Sequence, residues 1–221
     1  AWGDRSFDAP YGVWFDGDWD KPRLDDPAIQ KGLSDYAGLM QAGPSDILSY
    51  NWNEAGNAFC NGQAAFFADA SLFGPWFETD DCPISKGNTG YMALPPQDKG
   101  GTSYTANWQW GIGMGANAQE KDAGWYFIQY MTNKASEAVI GTFHGGAGRL
   151  STWENDSYTS TLNPDYVSAT LESMKTVRTS VVPVKDFNKY ALEIMDVILD
   201  IHGGASSEDA TAKGNANFKA M

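Results

Sequence analysis

Five residues have the types and settings that could do chemistry: Trp14, Asp69, Trp108, Trp110 and Arg149. Trp108 and Trp110 stand in an Asn-Trp-Gln-Trp run, and Trp14 stands in a loop rich in glycine and aspartate. The flat face of an indole packs against the axial C–H bonds of a sugar, and a guanidinium donates N–H groups to its hydroxyl oxygens. Arg149 follows a Gly-Gly-Ala-Gly run, whose glycines let the backbone approach a ligand. Asp69 ends the apolar run AAFFAD, and a carboxylate at a strand end can accept from two hydroxyls at once. Its other reading is an N-cap for the turn that begins near Ser71, and the two roles are compatible. Aromatic faces with one fixed cation suit the capture of a small polyhydroxylated molecule rather than its transformation.

Signatures of catalysis are missing. The chain has no GxSxG, HExxH or P-loop pattern. His144 and His202 both sit at helix ends beside glycines, where a cation or hydrogen-bonding group at a helix C-terminus is the favoured role. Gly111-x-Gly113-x-x-Ala116 matches a dinucleotide fingerprint only loosely: the strand leading in is polar and aromatic, and the acidic residue expected downstream falls within a helix. Asp16-x-Asp18-x-Asp20 opens like a calcium loop, but Lys21 and Pro27 stand where Gly and Glu are required. Asn155-Asp156-Ser157 is a formal glycosylation sequon and carries little weight. No cofactor and no metal are expected. A carbohydrate-active enzyme with paired carboxylates is the alternative, supported by the wealth of tryptophan and acids.

The formal net charge of -13 and pI near 4.4 make nucleic acid and anionic membranes poor partners. No apolar run reaches the length of a membrane span. Residues 1–20 carry no signal peptide pattern, and Ala1 reads as a processing boundary, so export is compatible with this chain. Nine tryptophans exceed what a core of this size needs, so some are expected at a site. Cys60 and Cys82 are an even pair at moderate separation. A disulfide between them would fit an exported protein, and two unrelated buried thiols are the equal alternative.

The elements that must position these residues follow from periodicity. Asp26-Pro27 opens a helix along Ile29, Leu33, Tyr36, Ala37 and Met40, which Gly43-Pro44 stops. Helices are expected at 52–61, 119–131, 134–143, from Pro164 to Val177, and at 187–201, with a terminal helix capped by Ser206 or Ser207. Strands are expected at 64–69, at 91–94, and through Trp108, Trp110, Ile112 and Met114, which alternate with smaller or polar residues. Trp125, at helical spacing, is expected in the core. Strands interleaved with helices give an α/β class.

The run YGVWFDGDWDKPRLDD, the Asn53-Glu54 helix and the Gly62, Ala65, Asp69, Ala70 pattern resemble the substrate-binding proteins of ABC sugar importers. The resemblance is to the maltose-binding-like type, and within it to the sorbitol and mannitol group. It extends through the Trp108-x-Trp110 strand, the helix with Trp125, Phe127, Ile128, Tyr130, Met131, Thr132 and Lys134, and the Gly148-Arg149-x-Ser151 turn, with Gly124 where the family usually has Ala. It implies a type II periplasmic-binding-protein-like fold, two α/β lobes closing on a ligand at a hinge. It also implies a periplasmic or cell-envelope location and ABC importer membrane subunits as partners. A whole member is roughly twice this length, beyond the usual single domain. The resemblance therefore implies that residues 1–103 belong to the second lobe, 104–157 cross toward the first lobe, and 158–221 return to the second. Half of such a site would leave aromatic surface in water, so the expectation is weak sugar binding or none by this chain alone, or self-association that hides the surface.

Overall fold

In a computed structural model, the structure describes residues 12–144, 146–179 and 183–221. The first elements in chain order are helix α1 (Pro27–Gln41), a 3-10 turn (Ile47–Ser49), α2 (Trp52–Cys60) and α3 (Phe73–Phe77). Strand β1 (Thr105–Asn107), α4 (Lys121–Thr132), α5 (Lys134–His144), α6 (Leu150–Trp153) and α7 (Asp156–Thr159) follow. The chain then forms α8 (Pro164–Met174), β2 (Val177–Thr179), α9 (Phe187–His202) and α10 (Ser207–Lys219).

Local chemistry explains where the helices start. The Asp26 carboxylate accepts from the Ala28 N–H with Pro27 in the first turn, and Asn163 accepts from Asp165 N–H ahead of Pro164 in the same way. Asn51 and Glu54 form a reciprocal capping box on α2, and Ser206 accepts from Asp209 N–H on α10. Each of these satisfies a donor that a helix N-terminus leaves open.

The chain divides into two compact units. Unit 1 takes its described residues from 12–49, 106–108 and the stretch from Arg178 onward. Here α1, α9 and α10 pack together around Phe15, Leu24, Ile29, Tyr190 and Phe218. Buried Asn215 accepts from the Leu24 N–H at 2.8 Å, which fixes the loop before α1 to the last helix. His202, at the C-terminus of α9, lies 3.5 Å from the Ala37 carbonyl, in keeping with the role its sequence setting favours.

Unit 2 is built from 50–105 and 109–177. One core cluster holds Phe73 and Phe77 around a Cys60–Cys82 disulfide, with Phe59, Phe67 and Trp76 against it. A second holds Ala147, Trp153, Tyr158 and Tyr166, with Val167, Leu171 and Met174 from the apolar face of α8. Helix α5 packs against α3, α4, α6 and α7.

The strands differ from expectation. Among the described residues, β1 and β2 pair in a single two-stranded sheet, and 64–69, 91–94 and 108–114 form no strand. A strand needs a neighbour to accept its ladder, and the period-two pattern alone supplies none. Phe66, expected within a buried strand, is 91% exposed. Trp125 is not core either: it is 55% exposed, and α4 buries no residue.

Candidate functional site

Of the eight tryptophans among the described residues, only Trp153 is buried, so indole surface is abundant in water. The five predicted site residues divide between the units. Trp14 and Trp108 lie in unit 1, whereas Asp69, Trp110 and Arg149 lie in unit 2.

In unit 1, Trp14 is half-buried and packs on the core. Its ring stacks on Phe187 at 5.5 Å with an interplanar angle of 8° and meets Phe218 edge-on at 6.1 Å. One indole face is therefore committed to a neighbour. Trp108 is 65% exposed.

In unit 2, Asp69 is exposed, and its Oδ1 accepts from the Trp52 indole N–H at 2.8 Å and from the Ala70 N–H. It does not cap α3, whose N-cap is Leu72 without a side-chain bond. Trp52 is fixed in turn by an edge-on contact with Phe73 at 4.8 Å, so the carboxylate is oriented by a residue with no motif around it. The sequence signal for Trp52 is only its place in the first turn of a capped helix.

Arg149 is held at the end of α4. Its Nη2 donates to the Thr132 carbonyl at 2.7 Å, and its Nε lies 3.0 Å from Glu137 Oε2. A cation at the last carbonyls of a helix is favoured by the open acceptors and the macrodipole. Part of the guanidinium is thus committed within the protein. At the preceding Gly148 the Gln109 amide nitrogen lies 1.9 Å from where a Cβ would stand, so a larger residue would displace that exposed, flexible side chain. The segment from Gln109 then runs to α4, where the Met114 sulfur lies 2.8 Å from the Cβ position of Gly124. That contact gives a physical reason for glycine there. Trp110, between these two anchors, is 81% exposed.

The loops bearing Asp69 and Arg149 meet. Gly146, at φ +67, opens the turn before Arg149, and Ser71 Oγ and Leu72 Cβ each lie 3.8 Å from its Cβ position. The Gly146 N–H donates to the Tyr166 hydroxyl at 3.3 Å, and the Trp153 indole donates to the Ala147 carbonyl at 2.8 Å. Both supports were missed by motif reading.

Three phenols in this region are hard to ionise. Burial pushes Tyr166 up to about 12, against the Gly146 hydrogen bond that lowers it. Burial also raises Tyr158, and burial followed by the Glu78 carboxylate raises Tyr91. All three therefore contribute stability that is complete below the ordinary phenol value and is lost as pH rises beyond it, because the unfolded chain releases its protons first. Far-ultraviolet circular dichroism and phenolate absorbance followed together above about pH 10 are expected to show these groups ionising only as structure is lost. Titration of all ten tyrosines at the ordinary value with the fold intact would contradict this.

Glu78 accepts from Tyr91, from Asn163 Nδ2 and from the Gly87 N–H at 2.8–3.0 Å, joining α3 to the start of α8. Beside it lies a cavity of about 230 Å³ lined by Thr79, Thr142, Thr161 and Tyr166 among others. It is smaller than most ligand pockets, and none of the five predicted site residues lines it. Among the described residues, no group of three His, Cys, Asp or Glu side chains is placed to hold a metal ion, and no helix is long and apolar enough to cross a membrane.

The model of a protein family, bacterial extracellular solute-binding protein, matches residues 1–138. The chain is also similar to a mannitol-binding protein of Pseudomonas aeruginosa, with 28% identity over 172 residues that make up 74% of this chain and 38% of that protein. It thus spans well under half the length of that curated relative. With a match over more than half of its residues, the chain belongs to the bacterial extracellular solute-binding protein family.

Proposed function

We propose that this chain forms part of a non-catalytic binding site for a sugar alcohol, within a protein that delivers its ligand to an ABC importer outside the cytoplasmic membrane. The observation that carries this reading is the meeting of the Asp69 loop with the turn leading into Arg149, where Gln109, the neighbour in sequence of the exposed Trp110, reaches Gly148. The similarity to a mannitol-binding protein supports the ligand class. An acyclic polyol offers hydroxyls to a carboxylate that accepts and a C–H edge to an indole. Trp14 and Trp108 are stacking faces that unit 1 offers by itself, and in unit 2 Arg149 donates with whatever part of its fork α4 does not hold.

The lobe reading belongs to the same proposal. In it the fold is type II, residues 1–103 belong to the second lobe, 104–157 cross toward the first, and 158–221 return. The compact units divide the chain at other positions, so this reading rests on the order of the motifs. A site completed by residues beyond this chain binds weakly alone, with a dissociation constant on the order of millimolar.

Tryptophan fluorescence titrated with D-mannitol is the test. The expected result is a saturable change in the millimolar range that Asp69→Asn weakens about tenfold, the loss of one charge-assisted hydrogen bond. No response at any attainable polyol concentration would remove the proposal. Micromolar binding by a monomer would remove the part that calls the site incomplete.

A further inference from the structure

We propose that Tyr166 is a positioning residue for the polyol site, setting the spacing between the loop that carries Asp69 and the turn that carries Arg149. The ligand part of this rests on the function proposed above, and the positioning part stands on contacts within unit 2.

Tyr166 sits in the first half of α8, 3% exposed, remote in sequence from both loops. Its phenol oxygen accepts the Gly146 N–H at 3.3 Å, and its ring lies against Gly74, whose N–H donates to the Ser71 carbonyl at 3.0 Å. The oxygen thus holds the turn before Arg149, and the ring holds the segment that follows Asp69. The ring itself has little freedom. It lies against Gly74, where a Cβ would stand 2.3 Å from two ring carbons, and it packs on Tyr91 at 5.6 Å and Trp153 at 5.9 Å. Tyr91 is fixed in turn by bonds to the Gly74 carbonyl and Glu78.

Recognition of a polyol from two loops requires their separation to be held to about half an ångström, by side chains whose own rotamers are locked. Asp69 and Arg149 are exposed and do not bond each other among the described contacts. The rigid link beneath them is the Tyr166 side chain, its oxygen on Gly146 and its ring on Gly74. Because this phenol stays protonated through the physiological range, the link does not vary with pH there.

The test is Tyr166→Phe, which keeps the ring and removes the oxygen. Amide exchange at Gly146 is expected to accelerate about tenfold, with the amides of α4 and α7 unchanged. The mannitol response is expected to weaken by a similar factor at an unchanged melting temperature. If that variant does not fold, the wild-type chain reads the same bond: the Gly146 amide is expected to exchange more slowly than that of Gly148, and equal rates would overturn the link. Unchanged exchange at Gly146, or a uniform acceleration throughout unit 2, would overturn the positioning role. A wild-type chain that ignores mannitol while Gly146 still responds to the variant would remove the polyol reading and leave the link intact.

Discussion

Replacing Cys60 and Cys82 together with alanine is expected to lower the stability of unit 2 by about 3 kcal/mol, the chain-entropy value for a loop of this size. The two cysteines are 22 residues apart, and the loop between them contains α3 and the Phe66–Phe67 pair. Without the crosslink, the unfolded segment gains freedom, and the folded segment loses the tie between α2 and the stretch after α3. Both cysteines are almost wholly buried among Phe73, Phe77 and Phe59. Alanine is the appropriate replacement, since it puts no hydroxyl into this apolar cluster. The measurement is thermal unfolding of the oxidised protein against the double variant, with an expected fall of about 10 °C in midpoint. An unchanged midpoint would show that packing alone holds this segment. The same burial predicts that dithiothreitol leaves the bond intact under native conditions and cleaves it as soon as denaturant opens the unit.

Gly74→Ala is expected to cost about 3 kcal/mol or more, at the upper end of overpacking effects. An added methyl would stand 2.3 Å from two carbons of the Tyr166 ring and 3.0 Å from a third. A flexible side chain could swing aside, but this ring is trapped between Tyr91 and Trp153. Either α3 moves away from α8, which breaks the bond from Tyr91 to the Gly74 carbonyl, or Tyr166 moves and lets go of Gly146. Urea unfolding measures the effect, and Gly38→Ala is the control. Gly38 lies on an exposed face of α1 with nothing within 4 Å of its Cβ position. There alanine is expected to stabilise by about 0.5–1 kcal/mol, because a mid-helix glycine is entropically costly. Equal effects at the two positions would contradict the contact geometry at Gly74. A smaller residue at position 166 should relieve the Gly74→Ala variant, giving non-additivity of about 1 kcal/mol or more.

Family membership carries a periplasmic-binding-protein-like fold, and the helices of that fold were readable from the sequence. Asp26-Pro27, Asn163-Pro164 and Ser206 announce helix starts by chemistry confined to a few residues, and the structure places α1, α8 and α10 there. Strands were not readable in the same way. The alternation from Trp108 to Met114 is a real sequence pattern, but a ladder depends on what lies alongside. This segment is instead anchored through Gln109 at Gly148 and Met114 at Gly124. Helical spacing misplaced Trp125 for a related reason: periodicity identifies an apolar face without saying that anything covers it. The proposed site rests on its exposed residues. Asp69, Trp110 and Arg149 were picked out by type and neighbours. Trp52, Glu137 and Tyr166, which hold or support them, were not, because each acts across a tertiary contact. One local hint existed: glycine followed by proline within a helical turn, as in Leu-Phe-Gly-Pro-Trp, marks a place where another group comes close.

The make-up of unit 1 bears on how the chain comes into being. Its core joins Phe15 and Leu24 to Tyr190 and Phe218, and Leu24 is tied to Asn215, so residues 12–49 share a core with helices far along the chain. The two long stretches of unit 2 are complete once residue 177 has emerged. A chain delivered from its N-terminus therefore carries residues 12–49 without α9 and α10 until those helices have been made. Such long-range closure is slow and leaves apolar surface open to misassociation in the interval.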